Sequence, residues 1–353
     1  MSADVTKIEL AKALKAIKAV ATFDQFEETK KIYIQPGGED SVMSSVNGLS
    51  EEDEFALLTK LLGTANHIIG FEQRPLVQGD YIVADYYLNM QPGCYIHNKG
   101  REKFTEYKCV VDVKSTEKDK FKIGGSKLQK LRNFADLFNL PLYFAVRFLR
   151  FRNSALWAIV EDKDRSVTSL HVTYEDIVKG VRQVFWDEYS LMVNPQLTVI
   201  AKYSKSSNIQ SVGHPDFGVQ TELAFTQNDK VLLILKDGDA FMASALMEAY
   251  NLEEIDVKKV NDDVTLQILK PSFATALLAD LIFKTNRLPV DEFGRTIYDA
   301  SKLIVRSDTN AHDKLIDRKA IEVIIAPLIR NQILSYGEIG EHLAQWKLLG
   351  GKD

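Results

Sequence analysis

Helical periodicity, strand-like alternation and turn residues predict an α/β protein for this chain of 353 residues, with an αβββαβ core followed by a mainly helical C-terminal domain. Three observations lead there. A helix beginning at Ser50 precedes three short stretches dominated by β-branched and aromatic residues, at 66–72, 81–88 and 106–114. A second amphipathic helix over 126–139 leads into two more such stretches, at 142–149 and 155–161. Beyond a Ser-rich segment at 203–218, the periodicity becomes mainly that of helices.

In chain order, MSADVTKIELAKALKAIKAV is broken by Lys7, Lys12, Lys15 and Lys18 and reads as an amphipathic helix, not a leader peptide or a membrane span. PGGEDSVMSSVNGLS (36–50) reads as a loop, and Ser50 with Asp53 three residues on marks a helix start. Gly124 and Gly125 open the helix over 126–139; Leu128, Leu131, Phe134, Ala135 and Phe138 share one face, and Pro141 closes it. The polar turn between 142–149 and 155–161 suggests a hairpin, and Thr173 with Asp176 a further helix start. KVLLILKDG is strand-like, and helical patterns follow near 240–250, 272–287, 316–334 and 337–348. The Ser-rich segment is the expected linker, separating a first domain over 1–205 from an accessory domain over 219–353.

Composition narrows the function. The net charge of −5 excludes a uniformly cationic nucleic-acid coat, yet residues 101–150 hold 12 Lys/Arg against 6 Asp/Glu, so the basic charge is local. Two cysteines, Cys94 and Cys109, form no disulfide framework, and neither they nor the six histidines show zinc spacing; Cys94 and His97 make no catalytic pair. A cytoplasmic protein without a membrane partner is the expectation. Walker A, GxGxxG, GxSxG and HExxH motifs are all lacking.

The informative segment is VVDVK (110–114). On a strand, Asp112 and Lys114 project from the same face, about 6.5–7 Å apart, while Cys109, Val111 and Val113 face the other way. Asp85 is likewise the one acid within the apolar run YIVADYYL, and Asp80 after Gly79 reads as a turn residue. If the two strands pair, both acids can converge on one divalent cation, which prefers oxygen ligands.

An order of helix, strand, strand with Asp85, strand with Asp112-x-Lys114, helix and strand resembles the PD-(D/E)xK nuclease superfamily, whose restriction-endonuclease-like core is shared by archaeal Holliday-junction resolvases. The resemblance covers about residues 50–160. It implies a metal-dependent endonuclease acting on DNA with Mg²⁺ or Mn²⁺, in which Asp85 and Asp112 bind the ion and Lys114 positions or activates the attacking water. It makes Glu54 the candidate third acid, ahead of Glu51 and Glu52, and gives Gln129 the place of the glutamine that resolvase-like members carry after the motif.

Lys118, Lys120, Lys122, Lys127, Lys130 and Arg132 follow the motif directly, so all but the first are candidates for gripping a nucleic-acid backbone beside the Gly124–Gly125 amides. The C-terminal domain would supply DNA recognition or homodimer contacts. The alternative is a non-catalytic nucleic-acid-binding or scaffold protein retaining the same fold.

Overall fold

The computed structural model describes residues 3–34, 39–71, 79–90, 106–149, 156–207, 213–286, 315–337 and 339. Cys94, His97, the interior of the 89–105 loop and most of the pattern at 337–348 lie outside the described residues. The chain is a mixed α/β protein whose first compact unit runs to Asp187 and whose second begins at Glu188.

The first unit opens with α1 (Ala3–Val20), α2 (Phe23–Tyr33) and α3 (Glu39–Leu61). Thr22 caps α2 through a reciprocal pair with Gln25. The expected loop over 36–50 is corrected from Glu39 onward, where α3 is already helical. Val42 and Val46, one turn apart, bury against Ala11, Leu14 and Phe26, and that packing outweighs the weak helix propensity of Ser, Asn and Gly there.

Five strands form the adjoining sheet: β1 (Ala65–Gly70), β2 (Tyr86–Met90), β3 (Tyr107–Thr116), β5 (Leu142–Phe148) and β6 (Trp157–Glu161), in spatial order β1-β2-β3-β5-β6. β3 and β5 run parallel through the crossover helix α4 (Gly125–Leu137), and the other pairs are antiparallel. β4 (Lys120–Ile123) pairs with β7 (Leu170–Thr173) outside this sheet. Every residue of β5 is buried, as expected of an interior strand. Two short helices, α5 (Asp176–Lys179) and α6 (Arg182–Phe185), end the unit in place of the expected single helix to about Trp186. Asp176 accepts from the Thr173 amide at 2.6 Å, but Thr173 closes β7 and α5 starts after Glu175 without a side-chain cap, so the expected capping box is corrected. Phe55 of α3 sits among Tyr86, Trp157, Phe185 and Trp186, with ring centroids 5.7–6.3 Å away. Trp186 also donates to Thr59, which ties the chain up to Asp187 into this core.

The second unit contains β8 (Ser190–Val193), β9 (Leu197–Ser204), β10 (Gly213–His214), β11 (Gly218–Gln227), β12 (Lys230–Lys236), α7 (Asp237–Met247), β13 (Leu252–Lys259), β14 (Val264–Pro271), β15 (Thr275–Leu277), α8 (Leu278–Asn286), α9 (Arg318–Arg330) and β16 (Leu334–Gly337). Its described residues are not mainly helical. A six-stranded sheet with the path β10-β11-β9-β14-β13, and β12 beside β11, dominates its described residues. Leu197, Val199 and Ala201 alternate inward on β9 opposite Leu223 and Phe225 on β11, a period-two signal that half-polar outer residues had concealed.

The expected linker also lies elsewhere. Ser204 pairs with Val219, so the Ser-rich segment joins two neighbouring strands inside the second unit. Its serines serve Asp263, which accepts from the Ser204 hydroxyl at 2.8 Å and from the Ser206 amide and hydroxyl at 2.7 and 2.9 Å. Among the described residues, no helix is long and apolar enough to cross a membrane.

Candidate active site

Sheet order brings the motif together. β2 pairs with β3 so that Tyr86 lies opposite Val111, and Asp85 immediately precedes β2; the expected strand over 81–88 therefore begins later, at Tyr86. The Asp85 amide still donates to the Val111 carbonyl at 3.1 Å, which extends the pairing by one residue. Asp85 Oδ2 accepts from the Val113 amide at 2.6 Å, so the backbone of β3 itself aims this carboxylate. Asp112 is 2% exposed on the face of β3 that it shares with Lys114.

The Lys114 ammonium is the point of convergence. Its Nζ lies 2.8 Å from Asp112 Oδ2 and 3.5 Å from Asp85 Oδ2, and donates to the Val113 carbonyl at 2.7 Å. Burial pushes the Asp112 carboxyl up to about 6, with Lys114 opposing and Asp85 reinforcing the rise. Burial disfavours the Lys114 charge, but Asp112 and Asp85 outweigh it and raise the ammonium above its ordinary range.

Among the described residues, no three acidic, His or Cys side chains stand close enough together to hold a metal ion as they are placed. The donor chemistry nevertheless fits a hard cation, because two buried carboxylates already share one positive charge and a third acid bears on them. That acid is Glu52. Burial, with the Asp85 charge added, pushes Glu52 up to about 8 against the pull of Lys114 and Lys15. The Glu52 carbonyl accepts from the Tyr86 hydroxyl at 3.1 Å, fixing this turn of α3 against β2. Lys15 of α1 pairs with Asp53 next to it.

Glu54 is engaged elsewhere. Its Oε1 accepts from the Trp157 indole at 2.9 Å and lies 2.7 Å from Arg147 Nε, both groups being buried. Residues 52 and 54 are separated by about 200° around a helix, so they serve different surroundings. A signal existed in the sequence: Arg147 is the one charge in the apolar strand LYFAVRF and requires a buried acid as partner.

Gln129 does not join the acids. Its exposed side chain donates to Asn133 at 2.9 Å, one turn along α4. Arg132 is corrected from the backbone-gripping group, being 3% exposed with Nε and Nη2 on the two Asp162 oxygens at 2.7 and 2.6 Å. Its other donor positions hold the carbonyls of Asp164 and Val167 at 3.1 and 2.9 Å. Lys120 and Lys122 are exposed on one face of β4, Lys130 lies 3.4 Å from Asp80, and exposed Lys127 bears electrostatically on Asp112.

The raised acids have a consequence for stability. A carboxyl with a higher pKa in the folded chain contributes fully below its unfolded value, 3.8 for Asp112 and 4.5 for Glu52, and that contribution is lost as pH rises through about 6 and about 8 respectively. Urea melts in EDTA should therefore show this part of the stability declining from about pH 4 to about pH 8. Glu52→Gln should flatten the upper half of that decline, and an unchanged profile would remove Glu52 from the coupled group.

No family model and no curated sequence matches the chain. Among solved structures, it is similar to a Holliday junction resolvase from the archaeal hyperthermophile Archaeoglobus fulgidus, at 16% identity and a TM-score of 0.25 over 37% of this chain and 87% of the resolvase.

Proposed function

We propose that the first unit is a metal-dependent nuclease that hydrolyses DNA phosphodiester bonds. The observation carrying this reading is the convergence of Asp85 and Asp112 on the Lys114 ammonium, with the charge of exposed Lys127 bearing on Asp112. Asp85 and Asp112 would hold Mg²⁺ or Mn²⁺, with Glu52 in the place expected of Glu54. When bound, such an ion polarises a phosphoryl oxygen and lowers the pKa of a coordinated water. Lys114 would orient water beside the carboxylates and offset negative charge gathering on the phosphate. Lys120, Lys122 and Lys127 would hold the polyanion by charge alone, without reading sequence.

The test is incubation of the purified chain with plasmid, linear, branched and single-stranded DNA, with Mg²⁺ or Mn²⁺ and with EDTA. Cation-dependent nicking supports the reading. DNA binding without nicking under every condition would replace it with the non-catalytic alternative.

The lysines give a separate expectation. Replacing Lys120, Lys122 and Lys127 together by Ala should weaken binding across unrelated sequences and reduce the slope of log affinity against log salt by about 3, since each lysine neutralises about one phosphate. An unchanged slope in fluorescence anisotropy titrations would show these lysines to be solvated surface only.

A further inference from the structure

The C-terminal end of α4 carries an aromatic surface that hydrolysis does not require. Lys127, Lys130, Phe134 and Phe138 recur at intervals of three, four and four residues, so they form one stripe along the helix and its C-cap. At one end Lys127 bears on Asp112. At the other, Phe71 meets Phe134 edge-on with centroids 5.1 Å apart and stacks on Phe138 at 5.9 Å with 28° between the rings. Phe134 is buried beneath this pair, whereas Phe138 is 51% exposed.

Backbone bonds join the aromatic end to the acids. The Phe71 amide donates to the Asp85 carbonyl at 2.9 Å. The segment leading to Asp85 follows the same flank of α4, where the Ile82 amide donates to the Lys130 carbonyl at 3.1 Å and Asn133 to the Asp80 carbonyl at 2.7 Å. Eleven residues separate Lys127 from Phe138, a rise of about 16 Å, or about five nucleotides at the stacked spacing of one strand.

We propose that this stripe is a track for a single strand of nucleic acid, with phosphates toward Lys127 and Lys130 and an unpaired base stacked on Phe138. This rests on the nuclease reading and narrows its substrate to DNA with unpaired bases next to the scissile bond. An exposed ring at the end of an offset stack offers a π-face, and every base has one to match. Fully paired duplex keeps its bases stacked on one another and offers base edges and phosphates, but no free base face for a ring to stack on. Exposed Lys127 and half-exposed Lys130, the latter shared with Asp80 at 3.4 Å in a solvated pair that a phosphate can replace, suit a polyanion better than an uncharged helix or strand of another protein.

The experiment compares the full chain with Phe138→Ala and Phe138→Trp in EDTA, titrating a labelled single-stranded oligonucleotide and a duplex of equal length. The ratio of single-strand to duplex affinity should fall about tenfold in Phe138→Ala and be retained in Phe138→Trp. An unchanged ratio in folded Phe138→Ala would overturn the track. So would sedimentation showing a wild-type dimer that Phe138→Ala converts to monomer, which would make the patch an interface between copies. Plasmid nicking by the wild type, run alongside, reports on the nuclease reading separately: nicking with an unchanged ratio removes the track alone, and a Phe138-dependent ratio without nicking removes the nuclease alone.

Discussion

Plasmid nicking in the presence of Mg²⁺ should fall to background in Asp112→Asn and by at least about 100-fold in Lys114→Ala, the range expected for loss of a positioned charge or proton-handling group. The two variants should differ in what else they lose. Asp112→Asn removes a buried oxygen charge 2.8 Å from the ammonium and leaves Lys114 paired mainly with Asp85. Calorimetric titration with Mg²⁺ or Mn²⁺ should accordingly show cation binding reduced or gone. Lys114→Ala leaves both carboxylates in place without the ammonium between them, so cation binding should persist. Its stability in EDTA should be lower than that of the wild type at pH 8, because two buried like charges then lack their shared partner. DNA retention by Lys114→Ala should survive, since one phosphate contact among several supplies a fraction of the affinity. Wild-type nicking by Lys114→Ala would make Lys114 a structural partner of Asp112 and end the mechanism assigned to it. Circular dichroism of each variant, with Lys114→Arg as a charge-retaining control, separates loss of chemistry from loss of fold.

The largest stability effect is expected at Arg132. Its guanidinium is 3% exposed, grips both oxygens of Asp162 and holds carbonyls of the following turn. Removing one member of such a buried pair leaves an uncompensated charge, so Arg132→Ala should cost about 3–5 kcal/mol. For a unit of this size that corresponds to roughly 10 °C in melting temperature. Loss of DNA binding in this variant would follow from unfolding, with the salt slope of any folded fraction unaltered. Arg132→Met combined with Asp162→Leu should recover much of the loss, because an apolar pair of similar volume removes both charges together. A melting temperature within about 2 °C of wild type for Arg132→Ala would show that the ion pair contributes little.

Some of this was legible from the residues alone. The parity of VVDVK put Asp112 and Lys114 on one face whatever the strand's neighbours, because side-chain alternation is a local property of extended backbone. The apolar spacing of Leu128, Leu131, Phe134 and Ala135 likewise placed α4, and Pro141 marked its end. Glu54, Arg132 and the second unit were not legible in the same way. Which acid of the EEDE run approaches Asp85 depends on where Arg147 and Trp157 arrive from strands about a hundred residues later, and they claim Glu54. A lysine-rich run looks uniformly basic until a turn bearing Asp162 folds over one member and buries it. The Ser-rich segment looked like a linker because its polar residues show no period, yet their partner is Asp263, brought beside them when β14 pairs with β9. Local periodicity decides which side chains share a face. Which face meets which partner is decided by long-range pairing, because buried charges and polar groups must find partners wherever the chain supplies them.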